Sequence, residues 1–103
     1  MPFESYAHAA IWQELPADEH DNARAAMRAL ARFDVPTHSA QVGALSTSTF
    51  DGSYRLRVGR YRILFILFAH DATLVFTTAF LKRREGDYVD AIAQHDARVK
   101  AHE

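Results

Sequence analysis

The stretch from Ser53 to Phe68 constrains the fold more than any other part of this 103-residue chain. Its first six residues alternate strictly, with Tyr54, Leu56 and Val58 on one side and Arg55 and Arg57 on the other, the period of a strand buried on one face. Gly59-Arg60 then reads as a two-residue turn with glycine first, so Tyr61–Phe68 returns as an antiparallel hairpin partner. After Arg62 this second strand is apolar on both faces. A strand of that kind belongs in the middle of a covered sheet, which places Arg62 at its rim. The turn His70-Asp71-Ala72 leads into a third strand, Thr73–Leu81, and Lys82-Arg83-Arg84 closes it with a burst of positive charge.

The flanks read as helical. Ala7, Ala10, Ile11, Trp12 and Leu15 recur at near-helical spacing, predicting a short helix from Ser5 to Leu15 that Pro16 ends. Asp18 is placed to cap a second helix, whose apolar stripe is Ala23, Ala26, Met27, Leu30 and Phe33. Arg24, Arg28 and Arg32 line its outer face, the pattern of a solvated helix surface. Residues 34–52 read as a loop without chemistry of its own. Asp87 is placed to cap a last helix, from Tyr88 to about His102, with Tyr88, Ile92, His95 and Val99 on one face.

Net charge is −1, but its distribution is uneven. Residues 1–52 carry seven acids against three arginines; residues 53–84 carry seven bases against Asp71 alone; residues 85–103 carry five acids against two bases. A segment of net +6 between acidic flanks points to a local site for phosphate or acidic peptide. The plainer explanation is an edge strand guarded by charge against aggregation. There are no cysteines, so disulfides and thiolate metal sites are excluded, and the six histidines show no metal-binding spacing. His95 and His102 are expected to decorate the last helix. No basic leader precedes Phe3 and no apolar run is long enough to span a bilayer, so the expectation is one soluble, cytoplasmic domain over residues 1–103.

The order helix, helix, three antiparallel strands, helix, with basic residues on the strands, resembles the RelE/ParE toxin superfamily, in particular its HigB-like, phage-derived branch. The residues that carry the resemblance are Leu15-Pro16 before an acid-capped, alanine-rich helix, Asp51-Gly52-Ser53-Tyr54-Arg55-Leu56-Arg57, Tyr61-Arg62-Ile63-Leu64-Phe65 and Phe80-Leu81-Lys82-Arg83-Arg84. It implies an α+β, RelE-like fold in which a helical hairpin packs on a small antiparallel sheet of three to four strands, followed by a C-terminal helix. Little chain precedes the first predicted helix, so the opening strand usual in the family is expected to be short or absent.

The resemblance further implies a metal-free mRNA endoribonuclease without a cofactor, working on the ribosome and silenced by a cognate antitoxin protein. By position it implies catalytic roles for Arg62, Tyr88 and Lys82, and RNA contacts from Arg55 and Arg57; Arg60, Arg83 and Arg84, the further basic residues of the segment, are expected to contact RNA with them. The residue types suit that chemistry. Attack of a 2′-hydroxyl on the adjacent phosphate needs a base, positive charge for the developing oxygens and an acid for the leaving 5′-oxygen. Tyr88 is the candidate base, Arg62 the phosphate clamp, and Lys82, Arg83 and Glu85 are candidate acids. Two other functions fit the same residues: a ParE-like inhibitor that binds DNA gyrase without cutting RNA, and a catalytically silent member that only binds an antitoxin-like peptide.

Overall fold

The computed structural model describes residues 3–33 and 35–102, so Met1 and Pro2 of the N-terminus, Asp34 at the start of the predicted loop, and Glu103 lie outside it. Five strands form one sheet in the order β1-β5-β4-β3-β2. They are β1 (Glu4–Ala7), β2 (Val42–Ala44), β3 (Ser53–Val58), β4 (Tyr61–Phe68) and β5 (Thr73–Leu81). β4 is the central strand, as its two apolar faces require, and all pairings are antiparallel except that of β1 with β5. Val58 pairs with Tyr61 across the turn, where Gly59 has φ 59°, the backbone that a glycine-first two-residue hairpin demands.

The sheet divides two helical layers. On one face Leu56, Ile63, Phe65, Leu74 and Phe76 form the main core with Ile11 and Leu15 and with Ala23, Met27 and Leu30 of α2 (His20–Ala31). On the other face α3 (Asp87–His102) lies across the sheet, packing Ala91, Tyr88 and Ile92 near Leu64 and Phe80, and Val99 against Ile66 and Val75. Arg55, Arg57 and Arg62 project on this second face, because they alternate with the core residues of β3 and β4.

Several sequence expectations are corrected. Residues 5–7, predicted as the start of the first helix, belong instead to β1, which pairs from Glu4↔Thr73 to Ala7↔Phe76. Completing the edge of β5 outweighs local helix preference, so the opening strand is present and α1 shrinks to a single turn, Ile11–Glu14. Asp18 caps nothing: it lies in a 3₁₀ turn, Ala17–Glu19, and α2 begins at His20 without a side-chain cap. Phe33 lies beyond the end of α2 and is 46% exposed rather than core. The predicted loop contains a 3₁₀ turn, Pro36–His38, and β2, which completes the sheet beyond β3. The sheet thus has five strands rather than three to four, and Arg24, Arg28 and Arg32 stay exposed, with Arg24 stacked over Trp12 at 4.5 Å.

Asp87 acts on the residues before it rather than on those after it. Its carboxylate reaches back to accept the backbone N–H groups of Arg83 (2.8 Å) and Arg84 (3.1 Å), so it holds the turn leading into α3 rather than capping the N–H groups of the helix that follows. Those bonds keep its carboxyl below the usual carboxylate range.

His95 is buried, not a surface residue of α3. β5 carries a bulge here: Leu64 pairs with Thr78 and Phe65 with Phe76, which leaves Thr77 extra. The Thr77 hydroxyl meets His95 Nδ1 at 2.6 Å, and Ser53 Oγ meets Nε2 at 2.8 Å. Ser48 extends the chain, lying 3.2 Å from Ser53 Oγ and donating to Asp96 Oδ1 at 2.6 Å. A hydroxyl has one proton and the carboxylate takes that of Ser48, so Ser53 donates to Ser48, Nε2–H donates to Ser53, and Nδ1 accepts from Thr77. Burial pushes the His95 imidazole below its ordinary pKa, against the opposing pull of Asp96, and so favours this neutral form.

Candidate functional site: a basic groove beside the last helix

The second face of the sheet is not fully covered. Where α3 begins, an open groove of about 430 Å³ runs between its first turns and β3, lined by Arg55, Arg57, Arg62, Lys82, Glu85 and Tyr88, with Ala44 to Thr47 and Ile92 as the uncharged wall. Four cations from three strand segments thus share one concavity.

Arg57 and Arg62 are directly opposite neighbours on β3 and β4. Like charges in that relation repel, and their persistence requires acceptors. Protein acceptors are supplied on one side only. Arg62 Nη1 donates to the carbonyls of Gly59 and Tyr61, both at 3.0 Å, while its Nε is buried without a hydrogen-bond partner. Arg57 Nε donates to Gln41 Oε1 at 3.0 Å, and Arg55 Nη1 donates to the Gln41 carbonyl at 3.2 Å. Guanidinium groups tethered along one edge retain free N–H groups for an anion, the geometry of bidentate phosphate recognition.

Lys82 follows β5, its backbone N–H bonded to the carbonyl of Arg60, and its ammonium lies 2.8 Å from Glu85. The hydrogen bond and charge of Lys82, helped by Arg55 and Arg62, hold the Glu85 carboxyl below its ordinary pKa. Glu85 is therefore ionised at neutral pH and cannot serve as a proton donor there. Tyr88, in the first turn of α3, sets its ring edge-on against Phe80 with centroids 5.1 Å apart and still lines the groove. Tyr88 thus packs against the core and borders the groove at once.

The remaining basic residues fall elsewhere. Arg60 sits in the exposed hairpin turn, beside Asp18, Glu19 and Asn22. Arg84 lies outside the groove, 3.8 Å from Asp87, and Arg83 is exposed without lining it. Turn geometry accounts for this: Arg60 precedes β4 on the loop, and after Lys82 the chain bends into α3. Glu85, expected as a candidate acid, does line the groove, paired with Lys82 at i, i+3. Gln41, which holds Arg55 and Arg57 from outside the lining, gave no local signal, since its role depends on pairing across β3. Among the described residues no group of three or more histidine, aspartate or glutamate side chains is placed to hold a metal, and no helix is long and apolar enough to cross a membrane.

With this geometry in hand, comparison with solved structures is decisive for the architecture. A chain of the archaeal RelE–RelB complex from Pyrococcus horikoshii OT3 superposes with a TM-score of 0.64 at 20% identity, over 82% of this chain and 99% of that one. The fold is RelE-like. A chain of the RelBE2 toxin–antitoxin complex of Mycobacterium tuberculosis also matches, with a TM-score of 0.52 and 20% identity, over 80% of this chain and all of the other. No protein-family model and no curated protein matches the sequence. The RelE-like arrangement brings five of the predicted site residues, Arg55, Arg57, Arg62, Lys82 and Tyr88, to one groove.

Proposed function

We propose that this chain is the toxin of a toxin–antitoxin pair in the RelE/ParE superfamily, an endoribonuclease that cleaves mRNA on the ribosome in the cytoplasm and is silenced by a cognate antitoxin. The observation that carries the proposal is the meeting of Arg55, Arg57, Arg62 and Lys82 with Tyr88 around one groove of a RelE-like fold. Both solved neighbours belong to complexes of a RelE-type chain with a Rel-type partner, which supports an antitoxin as partner. The HigB-like assignment rests on the sequence motifs around Arg55, Arg62 and Lys82.

In the reaction the 2′-oxygen bonds to the adjacent phosphorus and the bond from phosphorus to the 5′-oxygen breaks, leaving a cyclic phosphate and a 5′-hydroxyl. Tyr88 takes the 2′-proton as general base. The Arg62 guanidinium, which lines the groove, stabilises the charge developing on the phosphate oxygens, while Arg55 and Arg57 hold neighbouring phosphates. For the leaving oxygen, Glu85 is ionised and an arginine cannot give up its proton, so Lys82 is the remaining donor among the three candidates.

The test is induction of the chain alone in a bacterial cell, with mRNA ends and DNA breaks mapped in the same samples, and a parallel culture co-expressing the adjacent reading frame. New mRNA ends that the neighbour suppresses are expected. DNA breaks with intact mRNA would replace this reading with gyrase inhibition, and neither effect would leave a peptide-binding role.

A further inference from the structure

We infer that β2 is a template for the arginine pair, with Gln41 and Gly43 as the residues that position Arg55 and Arg57 for neighbouring phosphates of one strand. The inference rests on the phosphate-binding reading above and adds residues from a segment with no charge and no recognisable motif.

Three observations converge. First, Gln41 holds both arginines: its carbonyl accepts Arg55 Nη1 (3.2 Å) and the Arg57 backbone N–H (2.9 Å), and its Oε1 accepts Arg57 Nε (3.0 Å). Second, Gly43 pairs with Arg55 in the β2–β3 ladder, and a Cβ there would lie 2.8 Å from Cζ and Nη2 and 2.9 Å from Nε of Arg55. Near-equal distances to three guanidinium atoms mean that the plane lies flat on the glycine, a position no side chain permits. Third, Gln41 and Gly43 are two residues apart, so they share the face of the sheet that carries Arg55 and Arg57. The strand thus orients two flexible cations before any ligand arrives, which lowers the ordering cost of binding a polyanion.

Gly43→Ala is the discriminating variant. Gly43 is not in the left-handed region, so alanine is compatible with the strand backbone, and the atoms it would strike belong to the far end of a flexible side chain. The Arg55 guanidinium must move while the fold stays. Gln41→Ala removes only the side-chain acceptor of Arg57 Nε.

The experiment has two arms on the full chain. In the first, NMR of the arginine Nε–H groups of the free protein should show Arg57 protected from exchange in the wild type and unprotected in Gln41→Ala, and the Arg55 signal displaced in Gly43→Ala. In the second, affinity for a short single-stranded 2′-O-methyl oligoribonucleotide, which cannot be cleaved, is measured against salt. Gly43→Ala and Gln41→Ala should each weaken binding about tenfold and reduce the slope of log affinity against log salt by about 0.7, the share of one phosphate contact on a single strand. In an Arg55→Ala background Gly43→Ala should have no further effect.

Unchanged NMR signals, or an equal loss from Gly43→Ala with and without Arg55, overturns the template. If the wild type fails to bind the oligonucleotide while the NMR changes appear, the positioning stands and the RNA reading falls.

Discussion

Glu14 and Arg98, 84 residues apart in sequence, form a two-pronged ion pair, Nη1 to Oε1 and Nη2 to Oε2 at 3.0 Å each, at the point where β1 stops covering the edge of β5. Each also reaches the exposed edge itself. Glu14 Oε1 accepts the N–H of Ala79 at 3.1 Å, and Arg98 Nη1 donates to the carbonyl of Thr77 at 2.8 Å. Two side chains thus continue the ladder where the strand has run out, and they tie the single turn of α1 to α3 across an edge otherwise open to another chain.

Arg98→Ala should therefore destabilise the protein by about 2 kcal/mol, since it leaves a partly buried carboxylate with only the Ala79 N–H and a strand carbonyl without the guanidinium donor. In a double-mutant cycle Glu14→Ala and Arg98→Ala should fall well short of additivity. Denaturant unfolding of the four proteins measures this, and additive losses would reduce the pair to a surface contact.

The His95 network predicts a pH dependence. The folded-state pKa of His95 is depressed, so below the ordinary value of 6.5 the unfolded chain binds a proton that the folded chain refuses. Stability from this residue is complete above that pH and falls as pH drops through 6.5 toward the folded value, with a slope of at most about 1.4 kcal/mol per pH unit. His95→Leu should flatten the profile in that window. It should also lower stability at pH 7.5 by about 2–3 kcal/mol, because Ser53 and Thr77 lose their partner in the core. An unchanged slope in the variant would assign the dependence to other groups.

What could be read from the sequence follows the range of the interactions. The hairpin of β3 and β4, the central place of β4 and the extent of β5 follow from period and turn chemistry within some thirty residues, and the predicted strands match Ser53–Val58, Tyr61–Phe68 and Thr73–Leu81. Residues 5–7 misled because so short a stretch of mixed propensity takes its state from a partner about 70 positions away. His95 was misplaced for a related reason: its burial depends on a bulge at Thr77 and a serine at the start of β3, neither visible from the helical period. In the groove, strand alternation foretold Arg55 and Arg57 on one face and the apolar run of β4 put Arg62 at its rim, whereas the exclusion of Arg60, Arg83 and Arg84 came from turns whose geometry local composition leaves open.

Glu85 is the one acid among the groove cations, and it should compete with an incoming phosphate for Lys82. Glu85→Gln removes that charge with little change in shape, so affinity for a short single-stranded oligoribonucleotide should rise about threefold to tenfold at low salt. Cleavage at saturating substrate should be retained. Equal affinity would show that the carboxylate swings clear of the site on binding, and lost cleavage would make Glu85 the base in place of Tyr88.

The clearest test of the proposed chemistry compares Arg62→Ala with Tyr88→Phe. Arg62 contributes to the fold as well as to the groove, because its Nη1 bonds the carbonyls of Gly59 and Tyr61 around the hairpin turn. Its removal should cost about 1 kcal/mol of stability, or about 4–8 °C in Tm, leaving the protein folded under assay conditions. Loss of a preorganised donor at the reacting phosphate costs about 2.7–4 kcal/mol in the transition state, so cleavage should fall about 10²–10³-fold. Tyr88→Phe keeps the ring edge-on against Phe80 and removes only the hydroxyl, so its melting should match the wild type while the rate falls by a similar factor. Single-turnover cleavage with thermal melting of each variant decides the matter. A folded Arg62→Ala protein that cuts at the wild-type rate would sink the mechanism, and a fully active Tyr88→Phe would confine that ring to packing against Phe80.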